Sequence, residues 1–358
     1  MKPMVIQKKN QLVKLILISI IVLAVISISL IGCGSGSDSS SSPGSNTGWV
    51  DKGKVIHSSV SGTVYNCIDP NFVEDHESNI WLTFGSWSNG IYIIKLDKNT
   101  MMPASGATPI HIAKRSKVLA NDPDGVTGAI EAPSIIYRNG YYYLFVSFDT
   151  CCAGSSSKYK IAYGRSASIT GPYVDRDGIM MTSGGGTILD KDDGQYIPGG
   201  QFIYNDNGQF LCVHHAYNKS NNGFAQLRIK NLYFDAEGWP TYTDSNTLTT
   251  KTWAISASVG VHDPTLIKVN SVWYVFYTGQ GIQRRTSADG VNWSNPGKIF
   301  SSALSWWTTY APTMGNNDVW APDVTYYNGK YWIYYSVSEF GKRNSAIGLI
   351  CSDRIDAQ

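Results

Sequence analysis

The chain carries only 6 cysteines in 358 residues, and none of them forms a CxxC pair or a Cys/His spacing suited to zinc. A zinc module and a dense disulfide scaffold are therefore excluded. Charge is sparse as well. Asp, Glu, Lys and Arg make up 16% of the residues, and no extended basic run follows the N-terminal segment. A nucleic-acid partner would need such a footprint, so none is expected. Beyond the N-terminal segment no long stretch has a 3.6-residue amphipathic period, so helices should be minor. What the chain does have is aromatic side chains, with 22 Tyr, 11 Trp and 11 Phe.

The N-terminus reads as a targeting segment. Lys2, Lys8, Lys9 and Lys14 precede an uncharged apolar run from Leu15 to Gly32. The run ends Leu30-Ile31-Gly32-Cys33, which resembles a bacterial lipobox. Residues 1–32 are thus expected to be a lipoprotein signal peptide, with Cys33 diacylated as the new N-terminus. The competing reading is an uncleaved transmembrane anchor. Both put the rest of the chain outside the cytoplasm, the first by lipid anchoring to the cell surface. Residues 33–47 are rich in Ser and Gly and read as a flexible tether. Five cysteines remain: Cys67, Cys151, Cys152, Cys212 and Cys351. The adjacent Cys151-Cys152 could close a vicinal disulfide or stay as two thiols.

Residues 48–358 contain an internal repeat. Ile68-Asp69-Pro70, Glu131-Ala132-Pro133, Pro198-Gly199-Gly200, His262-Asp263-Pro264 and Trp320-Ala321-Pro322-Asp323 each open a strand, a polar turn and a second, aromatic-rich strand. Asn-Gly between two such strands is a strong hairpin signal. The units recur roughly every 60 residues, the length of a multi-stranded propeller blade. The expected fold is all-β, a five-bladed β-propeller. Ser345–Asp353 begins an outer strand pattern and stops, while Thr47–Ser58 supplies the missing piece. The N-terminal strand should therefore complete the last blade and leave no edge unpaired.

Strand starts in a propeller converge on its axis, so Asp69, Glu131 and Asp263 should meet at one end of the channel. Asp323 is either a fourth acid there or a turn residue. An acid-lined hollow in an aromatic-rich extracytoplasmic protein points to glycoside hydrolysis, which needs one protonated and one ionised carboxyl. These same motifs, with Tyr141–Cys152, Gly164–Tyr173, Gly238-Trp239-Pro240 and Ser336–Gly341, resemble glycoside hydrolase family 43. They are most similar to its endo-α-1,5-L-arabinanases. The resemblance covers nearly all of residues 48–354. It implies that Glu131 is the general acid and Asp263 the general base. Asp69 would tune and hold Glu131. Trp320 and Phe340 would be aromatic platforms for sugar, with Trp87 bordering the cleft and Asn66 and Ser86 contacting hydroxyls.

An inverting reaction implies an acid–base separation of roughly 6.5–9.5 Å. The family usually begins with the His-Asp-Pro blade and then the Trp-Ala-Pro-Asp blade, which here come last, so the resemblance also implies circular permutation or two spliced gene fragments. Cys67 and the run Gly85–Ile91 depart from the family pattern and put subsite details in question. On spacing alone His214-His215 reads as a buried structural pair. The resemblance instead implies that His215 faces a metal on the axis, usually calcium; no organic cofactor is implied. The expected partner is arabinan or its oligosaccharides, bound by a monomer. The alternatives are an exo-acting arabinofuranosidase or β-xylosidase of the same family, or an inactive arabinan-binding lipoprotein.

Overall fold

A computed structural model describes residues 48–117, 125–315 and 317–357. The leader, Cys33 and the tether lie outside the described residues. Strand β1 (Val50–Ser58) comes first. Next come β2 (Asn71–Glu74), β3 (Ile80–Phe84), β4 (Ile91–Lys95) and β5 (Ile110–Ala113), which form one sheet. The second sheet holds β6 (Ile130–Arg138), β7 (Tyr141–Phe148), β8 (Lys160–Ser166) and β9 (Thr187–Asp190). The third holds β10 (Tyr196–Asp206), β11 (Gln209–Asn218), β12 (Phe224–Phe234) and β13 (Pro240–Thr241). The fourth holds β14 (Thr265–Val269) and β15 (Val272–Tyr277). After the short β16 (Gly279–Gln280) it continues with β17 (Gln283–Ser287) and β18 (Gly297–Lys298). The last strands are β19 (Asp318–Tyr327), β20 (Lys330–Val337) and β21 (Ser345–Ser352). Among the described residues the only α-helix is Trp307–Tyr310.

Each sheet is an antiparallel meander, and the first strands touch in a closed cycle: β2 on β6, β6 on β10, β10 on β14, β14 on β19, and β19 on β2. This is the expected five-bladed propeller. The expected closure holds too: the last sheet runs β1-β21-β20-β19, with β16 added at its inner edge. Strand β1 pairs with β21 from Val50↔Cys351 to Ser58↔Ser345.

The local chemistry explains the regularity. Asn139-Gly140, Asn207-Gly208 and Asn328-Gly329 all have positive φ at both residues. That is the geometry of a two-residue type I′ hairpin turn, which Asn-Gly tolerates best. The second strands are apolar on both faces because each blade is sandwiched between two others. In Tyr141–Phe148, the side chains of Tyr143 and Phe145 pack toward the third blade with Ile203 and Cys212. The alternating Tyr142, Leu144 and Val146 pack toward the first, with Ile91 and Ile93. Comparable clusters fill the other interfaces: Leu211, Val213, Leu266 and Val275; Phe276, Ile282, Ile333 and Tyr335; and Tyr334, Leu349, Leu82 and Ile94. Cys67, Cys212 and Cys351 are buried thiols, and Cys151 and Cys152 are joined by a vicinal disulfide.

Hydrogen bonds stitch the same five interfaces near the axis. Asn71 Oδ1 accepts from Ile135 N (2.9 Å), Ser134 Oγ from Ile203 N (3.1 Å) and Tyr204 Oη from Lys268 N (3.2 Å). Thr265 Oγ1 accepts from Val324 N (3.4 Å), and Asp323 Oδ2 from Phe72 N (2.7 Å). Asp323 is thus neither a cleft acid nor a turn residue; it fastens the last blade to the first.

Candidate active site

The blade-start motifs share a backbone irregularity. Asp69 (φ 56°), Ala132 (50°), Gly200 (60°), Asp263 (47°) and Ala321 (43°) are all left-handed. For non-glycine residues this costs on the order of 1 kcal/mol each and persists only where neighbours hold it. Where the motif lies within a first strand, the ladder bulges, as between Glu131 and Ser134 or Trp320 and Asp323. Such bulges re-aim side chains.

Each left-handed N–H is met by a side chain from the preceding blade. Asp69 N donates to Ser336 Oγ (3.0 Å), Gly200 N to Ser147 Oγ (2.9 Å) and Ala321 N to Thr278 Oγ1 (2.8 Å). Asp263 N donates to His215 Nδ1 (3.1 Å). His215, Ser147 and Ser336 sit at one register position, opposite Gly199, Glu131 and Trp320. In the first blade the matching position is Gly85, whose N–H pairs with Ile68 O. It has no side chain to offer, and Asp69 Oδ2 takes the role by accepting from Ala132 N at 3.0 Å. One Asp69 oxygen therefore holds the peptide that follows Glu131.

Three carboxyls meet in a cleft of about 920 Å³. It is lined by Asp69, Glu131 and Asp263, and also by Asn66, Ser86, Trp87, Trp320 and Phe340. Every cleft residue expected from the sequence is there. Phe340 is 78% exposed and Trp87 39%, so both present open ring faces. His215 is fully buried and lies behind the cleft wall, accepting from Asp263 N and stacked on the His262 ring with centroids 3.9 Å apart.

Glu131 is buried, with Ser86 Oγ donating to Oε1 at 2.7 Å and Tyr159 Oη donating to Oε2. Burial raises its pKa above the ordinary glutamate value, and these two donors offset only part of the rise. Asp69 is raised further, by burial first and then by Glu131 and Asp263. Asp263 goes the other way. Burial would raise it, but His262, His215 and the Thr278 hydroxyl together outweigh burial and hold it below the carboxylate range. His262 Nδ1 lies 2.8 Å from Asp263 Oδ2, and Thr278 Oγ1 donates to the same oxygen at 2.8 Å. Tyr217 Oη bridges His262 Nε2 (2.7 Å) and Cys152 N (2.8 Å), tying the disulfide loop to the Asp263 pair.

Glycines make the crowding possible. A Cβ at Gly199 would fall 1.8 Å from the Tyr159 ring. One at Gly200 would fall 2.5 Å from Asp263 Oδ1 and 2.6 Å from His215 Nδ1. Sequence reasoning missed Tyr159, Tyr217 and Thr278. Thr278 had a signal, since a hydroxyl recurs at that place in three repeats; Tyr159 and Tyr217 had none.

A model of glycosyl hydrolases family 43 matches residues 37–240 and 257–358. The chain is 49% identical over 199 residues to extracellular endo-alpha-(1->5)-L-arabinanase 1 of Bacillus subtilis, covering 55% of this chain and 57% of that one. It is 38% identical over 194 residues to an extracellular exo-alpha-(1->5)-L-arabinofuranosidase of Cellvibrio japonicus, covering 54% and 56%. Among solved structures, an exo-1,5-alpha-L-arabinanase from a bovine ruminal metagenomic library superimposes with a TM-score of 0.50 at 43% identity. That match covers 56% of this chain and 65% of the other. The chain spans about half the length of the curated relatives it matches. The two matched segments together take in every motif that builds the cleft, and the chain belongs to glycosyl hydrolases family 43.

Proposed function

We propose that this protein hydrolyses internal α-1,5-L-arabinofuranosidic bonds of arabinan with inversion at the anomeric carbon. The observation that carries this reading is a cleft that holds two carboxyls in opposite surroundings, Glu131 buried against the Ser86 and Tyr159 hydroxyls and Asp263 paired with His262. Glu131 is raised, which keeps a proton available, and Asp263 is lowered, which keeps it ionised. Such a split is what an acid and a base need at the same pH. Glu131 protonates the leaving sugar oxygen. Asp263 takes a proton from the water that attacks the opposite face. Asp69 holds the Glu131 turn through Ala132 N and contributes to the shared acidity of the cluster. Trp320, Phe340 and Trp87 give apolar faces to the sugar rings, and Asn66 and Ser86 polar contacts. The permuted blade order leaves this constellation whole.

A calcium ion fits beside the base. His215 Nε2 is buried without a hydrogen-bond partner among the described residues. His215, His262 and Asp263 present ligand atoms within 4.8 Å of one another. Calcium takes six to eight oxygens, and His215 would add Nε2, with water completing the shell, only in the tautomer that carries its proton on Nδ1. That tautomer gives up the hydrogen bond from Asp263 N and faces Asp263 Oδ1 at 3.6 Å. When bound, it adds positive charge that favours an ionised Asp263. Metal content after dialysis tests this: the wild type should retain calcium and His215→Gln should not.

The protein works outside the cytoplasm, anchored through lipid on Cys33, as a monomer. Radiolabelled fatty acid should enter the wild type and not Cys33→Ser. The activity itself is tested with debranched arabinan and Glu131→Gln as control. Mixed short oligosaccharides, lost in the control, support the reading. Arabinose alone would make the enzyme exo-acting. Binding without hydrolysis would make it an arabinan-binding module.

A further inference from the structure

The structure assigns to Tyr159 the task of fixing which oxygen of Glu131 carries the transferable proton; this rests on Glu131 being the general acid. Tyr159 is buried, and its hydroxyl donates to Glu131 Oε2. Its ring is wedged where Gly199 has no side chain, and it lies against His215 with centroids 5.8 Å apart. The ring cannot swing to another acceptor. Were Glu131 to present a proton on Oε2, two hydrogens would compete for one contact, and the phenol hydrogen would be left buried without an acceptor, at a cost. Tyr159 therefore stays a donor, and Oε2 stays an acceptor.

The proton is confined to Oε1, whose partner Ser86, on the cleft wall, can turn its hydroxyl and accept where Tyr159 is wedged as a donor. The step balances simply. The Oε1 proton moves to the glycosidic oxygen as the bond to the anomeric carbon breaks, and that bond's electron pair stays on the leaving oxygen. Glu131 is left a carboxylate, met by the Ser86 and Tyr159 donors already in place. The water that attacks gives its proton to Asp263. Tyr159 is a positioning residue, acting through Glu131. The other ionisable groups around Glu131 are Asp69, Asp263 and His262, with Glu339, Lys342 and Arg343 further along the cleft.

A leaving-group series separates this role from a merely structural one. Arabino-oligosides carrying phenyl or dinitrophenyl aglycons differ in their need for a proton. Tyr159→Phe should lower kcat on the phenyl substrate by roughly tenfold or more, with KM little changed, and lose far less on the dinitrophenyl one. Equal loss on both, or loss on neither, overturns the assignment. Glu131→Gln is run in parallel. If it too slows both substrates equally, Glu131 is not the acid and the underlying reading fails. If it is selective while Tyr159→Phe is not, only the role of Tyr159 falls. Should Tyr159→Phe fold poorly, fluorotyrosine at the same position keeps the ring and strengthens the donor. It should lower the pKa of Glu131 and move the alkaline limb of kcat/KM to lower pH; an unmoved limb overturns the assignment.

Discussion

Asp323 of the last blade accepts two hydrogen bonds from the first: Phe72 N at 2.7 Å and Asn71 Nδ2 at 3.2 Å. Both donors lose their acceptor in Asp323→Ala. Two buried donors left unpaired should cost about 2–3 kcal/mol, read as a lower denaturant midpoint at unchanged slope. Burial also raises Asp323 to about 7. Its folded pKa lies above the unfolded one, so the stability it contributes is present at low pH and lost as pH rises through about 7. The melting temperature of the wild type should therefore fall more between about pH 5 and pH 8 than that of Asp323→Asn.

Removal of residues 48–58 should destabilise the propeller strongly, because β1 covers β21 along its length and buries Val55. The loss of an entire paired strand should lower the melting temperature by roughly 10 °C or more. An unchanged melting temperature would show that β1 does not hold the ring closed.

Ser86→Ala takes away one donor that stabilises the Glu131 carboxylate. Glu131 starts above the usual range, so activity should fall as pH rises through its pKa. In the variant that pKa goes up, and the alkaline limb of kcat/KM should move to higher pH. The acid limb, set by a depressed Asp263, should stay where it is.

Gly200→Ala places a methyl group against Asp263 Oδ1 and His215 Nδ1, at a φ of 60° that disfavours a side chain. Both contacts are far too short to keep, so Asp263 must shift by about 1 Å. A loss of roughly a hundredfold in kcat is expected, since a displacement of about 1 Å costs that much. Thermal unfolding of the same variant should shift by only a few degrees.

The fold was legible because its signals are local. Asn-Gly turns, Pro-bearing blade starts and doubly buried aromatic strands can each be recognised within one repeat. The three carboxyls were legible because each marks such a start. What escaped depends on register between neighbours. Ser147, Thr278 and Ser336 recur visibly, but which N–H each one meets lies in the next blade. His215 stands in that same series, so a structural duty to Asp263 N is built into the residue proposed as a calcium ligand. Tyr159 immediately precedes a later strand of its blade, where nothing marks it for the site, and only the absence of a side chain at Gly199 brings its ring to Glu131. Adjacency alone could not decide between thiols and a disulfide at Cys151 and Cys152.

The seam between β1 and β21 sets a timetable for biosynthesis. Trp49 Nε1 bonds Ala357 O across 308 residues, so β1, made before the other described strands, is paired after them. At equilibrium the long interval matters little, since closing it costs only about 1.4 kcal/mol more than closing a single blade. In time it matters more. Until the final strand is released, β1 waits as an open edge able to pair with another chain. A chaperone that shields this edge during synthesis or export would raise the yield of folded protein without touching any residue of the finished ring.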